Sequence, residues 1–200
     1  NEIGGVEHTS YNRFAQMVAG YLKIMAQNGA FDDDAFSLFL KENGNTYKLS
    51  NDLTSWMPGL QSGRNTPRFL YKPNGPTKKS YNFDTVADGK YREWIASCCD
   101  EIMIEPATFV GISQIILEEL IKSGIVVSIP ATADYTVYAL DKNKVYISDK
   151  VTLLKCETCG ITHAAAKANK EFWIEAPCIR NNCAGTFEED ESTGLDYYGK

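Results

Sequence analysis

Four of the six cysteines of this chain form two closely spaced pairs between residues 156 and 183. Cys156 and Cys159 are separated by two residues, Cys178 and Cys183 by four, and eighteen residues lie between the pairs. Two thiolates three positions apart on a tight turn can both reach one metal ion at about 2.3 Å, and a second such turn completes a tetrahedral shell. The spacing therefore predicts one structural Zn²⁺ ion held by all four cysteines.

Other uses of clustered thiols remain open. The main alternative is a redox centre or an iron–sulfur cluster, but a reactive CxxC usually stands at the head of a helix, and here strands are predicted on both sides. His163 is a further possible ligand, and we expect it to be a bystander because four thiolates already fill a tetrahedral shell. The first residues, NEIGGVEHTS, lack the features of a signal peptide, so we expect a soluble cytoplasmic protein, where structural disulfides are rare.

The composition is that of a globular protein. The 200 residues include 44% hydrophobic and 12% aromatic residues, enough for one ordinary domain or two small ones. No apolar run is long enough to cross a bilayer, so no membrane partner is expected. The net charge of −6 gives no general attraction to nucleic acid.

One segment departs from this acidic balance. Residues 61–80 contain five Lys or Arg residues and no acid. The residues assigned to nucleic-acid binding are Arg64, Arg68, Lys72, Lys78 and Lys79, with Phe69 and Tyr71 between them. Basic side chains neutralise phosphates and aromatic rings stack on bases, so this mixture suits a single strand. The alternative, equally supported by the sequence, is a solvated basic loop that docks on an acidic neighbouring domain.

The sequence offers little for catalysis. It contains no phosphate-binding loop, no dinucleotide glycine motif, no H-E-x-x-H helix and no nucleophile elbow. The acids at 32–34 could hold the metal of a nuclease, but three acids before an apolar helix are more often a helix cap. Cys98 and Cys99 are interpreted as one core residue and one half-exposed neighbour. We therefore assign no catalytic residue.

Hydrophobic periodicity predicts the elements that carry these residues. A helix is expected over residues 9–28, a short helix after the aspartates, a long loop over residues 45–85, and two more helices between residue 90 and Gly124. The segment IVVSIPATADYTVYAL indicates a strand, a turn and a second strand. Two helices followed by a β-hairpin is the order of a winged helix, whose second helix can enter a nucleic-acid groove. Further strands are predicted at KVYISD, VTLLK and KEFWIEA.

One region of the chain resembles the accessory region of large bacterial DEAD/DEAH-box helicases of superfamily 2, including those of phage defence and DNA repair. The resemblance lies in the order of four segments, ILEELIKSGIV, DYTVYALDKNKVYIS, LLKCETCG and PCIRNNCAG. The resemblance covers residues 90–187 best. It implies zinc ligands at Cys156, Cys159, Cys178 and Cys183, contact with DNA or RNA through the winged-helix surface, and no catalytic residue. It also implies that the ATPase motifs lie in motor domains elsewhere in a parent chain.

We therefore expect an α+β fold, with a helical N-terminal part and a winged helix followed by a small four-cysteine zinc ribbon. The expected division is a helical hairpin with a basic loop over 1–88, a winged helix over 89–150, the zinc ribbon over 151–187 and an acidic tail over 188–200. The expected function is a non-catalytic helicase accessory fragment that binds nucleic acid, DNA in preference to RNA. The alternatives are a protein–protein interaction module of a bacterial defence or repair complex and, with less support, a metal-dependent nuclease.

Overall fold

The fold is α+β, with helices and a mixed sheet first and a three-stranded antiparallel sheet after them. The computed structural model describes residues 11–42, 44–48, 66–73, 83–85, 89–101, 108–132, 135–146, 148–180 and 183–190. The α-helices in these ranges are α1 (Tyr11–Gln27), α2 (Ser37–Lys41), α3 (Gly89–Glu101) and α4 (Phe109–Lys122). The strands are β1 (Phe31–Asp32), β2 (Phe69–Pro73), β3 (Phe83–Thr85), β4 (Val126–Thr132), β5 (Tyr135–Asp141), β6 (Val151–Cys156), β7 (Thr162–Ala166) and β8 (Phe187–Glu189).

Helix α1 forms where the periodicity predicts it. Its buried face carries Met17, Tyr21 and Met25, whose spacing of four residues places them on one side of the helix. The helix ends before Gly29, which has a φ of 67° that favours glycine. The prediction for this helix is therefore confirmed over the described residues.

Helices α1 and α3 pack closely because a glycine stands at their contact. A Cβ atom on Gly20 would lie 2.6 Å from Nε1 of Trp94, well inside van der Waals distance. The same Nε1 donates a hydrogen bond of 2.9 Å to the carbonyl oxygen of Met17. Trp94 is therefore fixed against the backbone of α1.

The α4–β4–β5 order matches the sequence prediction, but the hairpin is not an isolated wing. Strands β4 and β5 pair antiparallel, and β5 also pairs antiparallel with β2 and parallel with β1. Strand β3 continues the sheet beside β2 in parallel register. The boundary expected between residues 88 and 89 therefore falls inside one sheet, whose strands come from both sides of it.

The second sheet has β6 in the middle, paired antiparallel with β7 and β8. The VTLLK strand is confirmed as β6. Two other strand predictions are wrong for the described residues. In KVYISD, Lys144 ends the 3₁₀ turn at Lys142–Lys144, and the described residues after it are exposed and belong to no strand. KEFWIEA lies in a 3₁₀ helix at Lys167–Phe172 and a turn. The strand between the two cysteine pairs is instead β7, where His163 and Ala165 alternate inward.

Several expectations fall on other parts of the chain. Most of residues 45–85, expected as a long loop, and residues 191–200 of the expected tail lie outside the described residues. The prediction of a loop is wrong at β2 and β3, which pair in the first sheet. Glu188 and Glu189, which the sequence placed in the tail, pair with β6 and belong to the second sheet. Within the described ranges, no helix combines the length and the apolar character that a bilayer crossing requires.

Candidate metal centre

The first cysteine pair lies on the turn between β6 and β7. The amide of Cys156 donates to the carbonyl of Ile161 at 2.9 Å, and the amide of Gly160 donates back to the carbonyl of Cys156 at 2.9 Å. Gly160 has a φ of 68°, a left-handed conformation that a residue with a Cβ adopts only with strain. These bonds close the turn and direct Cys156 and Cys159 to the same side.

The second pair lies on a turn before β8. The amide of Cys178 donates to the carbonyl of Gly185 at 2.8 Å, and the amide of Cys183 donates to the carbonyl of Arg180 at 3.2 Å. The amide of Arg180 also points at Sγ of Cys178, at 3.4 Å. Amide donors of this kind favour the charged thiolate over the neutral thiol.

Direct contacts hold the two turns together. The amide of Glu157 donates to the carbonyl of Thr186 at 3.1 Å, and the Thr186 hydroxyl bonds Oε1 of Glu157 at 3.1 Å. A Cβ atom on Gly185 would lie 2.6 Å from Cβ of Thr158 and 2.8 Å from Sγ of Cys156. Glycine is thus required at 185 for the turns to approach this closely.

The four sulfur atoms form one cluster that fits a tetrahedral metal site. Their Sγ atoms all lie within 4.8 Å of one another. The shortest pairs are Cys156–Cys183 at 3.6 Å and Cys159–Cys178 at 3.7 Å. A tetrahedral ion with metal–sulfur bonds of about 2.3 Å needs sulfur atoms about 3.8 Å apart. The cysteine spacing seen in the sequence is therefore confirmed as a spatial cluster consistent with one metal ion such as zinc.

The thiols differ in their protonation. The backbone amide of Ile161 lowers the pKa of the Cys159 thiol to about 6, so it is largely a thiolate at neutral pH. Burial raises the pKa of the Cys178 thiol, because a buried anion loses hydration. A divalent cation would supply the opposite charge that a second thiolate in this position needs.

His163 lies on β7 in the second sheet and is not one of the ligating groups of the cluster. It is 4% exposed, and its ring lies 4.2 Å from that of Trp173 and 5.4 Å from that of Phe187, measured between centroids. Neither ring nitrogen has a hydrogen-bond partner among the described residues. We interpret His163 as part of the aromatic core of the second sheet.

The sequence did not indicate how the second sheet is held against the helices. Nη1 of Arg13 donates to the carbonyl of Glu175 at 2.6 Å, and Glu175 has a φ of 61°. Nζ of Lys23 lies 5.9 Å from the ring centroid of Trp173. The 3₁₀ segment and turn between β7 and β8 therefore dock on α1, and no local signal in the sequence indicates this contact.

The residues assigned to nucleic-acid binding are divided by the fold. Arg68 and Lys72 are exposed, whereas Phe69 and Tyr71 are 0% and 8% exposed. Because alternate residues of a strand face opposite sides, the mixture of basic and aromatic residues in the sequence is separated in space. The stacking role assigned to Phe69 and Tyr71 does not fit their burial. Arg64, Lys78 and Lys79 lie outside the described residues.

The structure also bears on the aspartates at 32–34 and on the cysteine pair Cys98 and Cys99. Oδ1 of Asp33 accepts from the amide of Ala35 at 3.0 Å, which confirms a capping role, although what it caps is the 3₁₀ turn at Asp34–Phe36 that leads into α2. Its Oδ2 pairs with Nζ of Lys142 at 3.3 Å. In the part of the chain that is described, the cysteine cluster is the one group of three or more potential metal ligands, so the aspartates form none. Cys98 and Cys99 are both fully buried, which corrects the expectation of a half-exposed neighbour.

Comparison with protein-family models, with curated protein sequences and with solved structures gave no match.

Proposed function

We propose that this chain is a non-catalytic, nucleic-acid-binding accessory fragment of a DEAD/DEAH-box helicase, with its C-terminal ribbon held in shape by one structural Zn²⁺ ion. The observation that carries the proposal is the cluster of four sulfur atoms within 4.8 Å of one another. Four thiolates fill the tetrahedral shell of zinc and leave no open position for a substrate or an activated water. Such a site stabilises structure and does not turn over a substrate.

The partners in this proposal are nucleic acid, DNA in preference to RNA, and the motor domains of a parent chain. Exposed Arg68 and Lys72 support the first partner. Arg68 pairs with Asp84 at 3.4 Å, but its side chain is 60% exposed, and a surface ion pair of this kind contributes little free energy. It can therefore exchange its carboxylate for a phosphate.

Metal analysis of the purified chain tests the zinc half. We expect one Zn²⁺ per chain in protein purified without chelator, and a loss of most of it in Cys178→Ser. Cys98→Ser is the matched control, because it also changes a buried cysteine but lies on α3 outside the cluster. Less than about 0.2 Zn²⁺ per wild-type chain, or equal loss in both variants, would contradict the site.

Fluorescence anisotropy with short single- and double-stranded DNA and RNA tests the binding half. We expect binding that weakens as salt rises, because basic side chains release counterions from phosphates. Binding should weaken when Arg64, Arg68, Lys78 and Lys79 are changed to Glu. The absence of salt-dependent binding at high micromolar protein would contradict nucleic-acid binding and would leave the proposed zinc site unaffected.

A protein–protein interaction module is the second candidate. The observations that favour it are the net charge of −6 and the burial of Phe69 and Tyr71, which removes two of the expected base contacts. In that case the charge-reversed variant should still bind a protein partner of the parent complex with unchanged affinity. The same variant would distinguish the two functions in one preparation.

A further inference from the structure

The segment between β5 and β6 presents an aromatic ring to solvent. Tyr146 is 82% exposed and its neighbour Val145 is 43% exposed. Four other tyrosines of the described residues are buried, namely Tyr21 at 0%, Tyr71 at 8%, Tyr91 at 0% and Tyr135 at 1%, and Tyr138 is half-buried. An aromatic ring exposed in this way is available to stack against a ligand.

Lysines flank this ring along the chain. Lys144 and Lys150 are exposed, and a hydrogen bond of 3.0 Å from the amide of Lys167 to the carbonyl of Lys150 places a third exposed lysine next to Lys150. Lys142 pairs with Asp33 at 3.3 Å, and its side chain remains 50% exposed. Asp33, Asp141 and Asp149 are the acids that pair with, border or lie within the segment, so four lysines stand against three carboxylates and positive charge is in slight excess.

The ends of the segment are held in place, which reduces the entropy that binding would cost. The carboxylate of Asp141 accepts from the amide and the side-chain amide of Asn143, at 2.9 and 3.0 Å. At the other end, the amide of Lys150 donates to the hydroxyl of Ser148 at 3.1 Å. Asp141 is thereby occupied as a cap for the 3₁₀ turn.

We propose that residues 142–146 and 148–150, with Lys167, form a contact site for single-stranded nucleic acid, in which Tyr146 stacks on a base and the lysines neutralise phosphates. The site rests on the proposed function and gives it a location that the sequence did not assign. A single strand is the occupant because an open base face is needed for stacking, and bases inside a duplex already stack on one another. The excess of lysines matches a phosphate backbone.

Anisotropy titrations of a short single-stranded oligonucleotide test the ring. Tyr146→Ala should weaken binding by about five-fold or more, since a base–aromatic stack contributes roughly that factor or above. Tyr146→Phe keeps the ring and should bind like the wild type. An abasic strand of the same length should bind the wild type and Tyr146→Ala equally, because it has phosphates and no base face.

The lysines are tested by the salt dependence of the same binding. Lys144→Glu and Lys150→Glu should each lower the slope of log affinity against log salt by about 0.7, the value per phosphate contact on a single strand. Lys41→Glu on α2 makes the same charge change at an exposed lysine outside the segment and should leave the slope nearly unchanged. Zinc content and circular dichroism confirm that each variant is folded.

The outcomes separate this site from the proposed function. If the wild type binds and Tyr146→Ala binds equally well, or if only a protein partner responds to this substitution, the site is wrong and the proposed function stands. If the wild type binds no oligonucleotide at all, both are overturned. A loss in Tyr146→Ala that is equally large on the abasic strand would overturn the stacking role.

Discussion

At the scale of single residues, the candidate metal centre depends on two glycines as much as on its cysteines. Gly160 allows the first turn to take a left-handed backbone conformation. Gly185 acts differently, because its missing Cβ leaves room for Thr158 and for Sγ of Cys156. The thiols can bind a metal ion, and the two glycines allow the turns to bring these thiols close enough together to bind the same ion.

We expect Gly185→Ala to weaken zinc binding. The added methyl group would lie 2.8 Å from Sγ of Cys156, so one turn must move away from the other. Overpacking of this kind costs about 1–3 kcal/mol, equivalent to roughly a five- to 150-fold loss in affinity. Competition with a chromogenic chelator measures it.

Gly111→Ala is the matched control for that experiment. Gly111 lies on α4, is exposed, and has no heavy atom within 4 Å of the position that a Cβ would take. Alanine favours a helix over glycine by about 0.5–1 kcal/mol, so this variant should be slightly more stable and bind zinc normally. Equal zinc affinity in both variants would contradict the role of Gly185.

At the scale of elements, the contact of α1 with α3 is separable from the metal centre. Gly20→Ala would place a methyl group against Trp94, which cannot move because it is 3% exposed and bonded to Met17. We expect a loss of about 1–3 kcal/mol in the free energy of unfolding, measured in urea, with unchanged zinc content. A stable Gly20→Ala protein would show that this helix pair is looser than described.

The contact of α1 with the segment between β7 and β8 leads us to expect that the stability of the protein depends on pH. Burial lowers the pKa of Lys23 from 10.5 to about 8, because the charged amino group loses hydration. The ring centroid of Trp173 lies 5.9 Å from its Nζ, near the limit of a cation–π contact. The unfolded chain then binds more protons than the folded chain between about pH 8 and 10.5, so stability contributed by Lys23 rises with pH across that window.

Lys23→Met measures this contribution. Methionine keeps an apolar stem and cannot titrate, so the wild type should gain stability relative to the variant as pH rises from 8 to 10.5. Thermal denaturation of both proteins at each pH cancels the titration of shared cysteines and tyrosines. Parallel curves would mean that the amino group of Lys23 is as well hydrated in the folded chain as in the unfolded one.

At the scale of the whole molecule, two sheets share one core but differ in what stabilises them. The first sheet is covered by helices with large buried side chains, whereas the second has three short strands and the cysteine cluster. A sheet of that size buries too little apolar surface to be stable by itself, and a metal would provide the missing free energy.

Removal of the metal should therefore loosen one part of the molecule before the other. After chelation we expect the amides of β6, β7 and β8 to lose protection from hydrogen exchange, while those of α4, β4 and β5 keep theirs. Added zinc should restore the protection. Equal loss in both sheets would show that the whole fold depends on the metal.

The sequence by itself determined the elements whose signal is local. Helices α1 and α4 and the β4–β5 hairpin follow from hydrophobic spacing, and the four cysteines follow from the geometry of two short turns. The cap at Asp33 is likewise a contact within two residues. Each of these depends on neighbours in the chain, so its physical cause is written in a short stretch of sequence.

Tertiary structure decided what depends on distant partners. Tyr71 and Lys72 are adjacent in the sequence, yet strand alternation buries one and exposes the other once β2 pairs with β5. A strand also needs a partner. KVYISD has the composition of a strand, yet its described residues remain outside both sheets. Strand pairing and burial are decided by residues far away in the chain. For that reason, the sequence of the basic-aromatic segment could not show which of its side chains are buried and which are exposed.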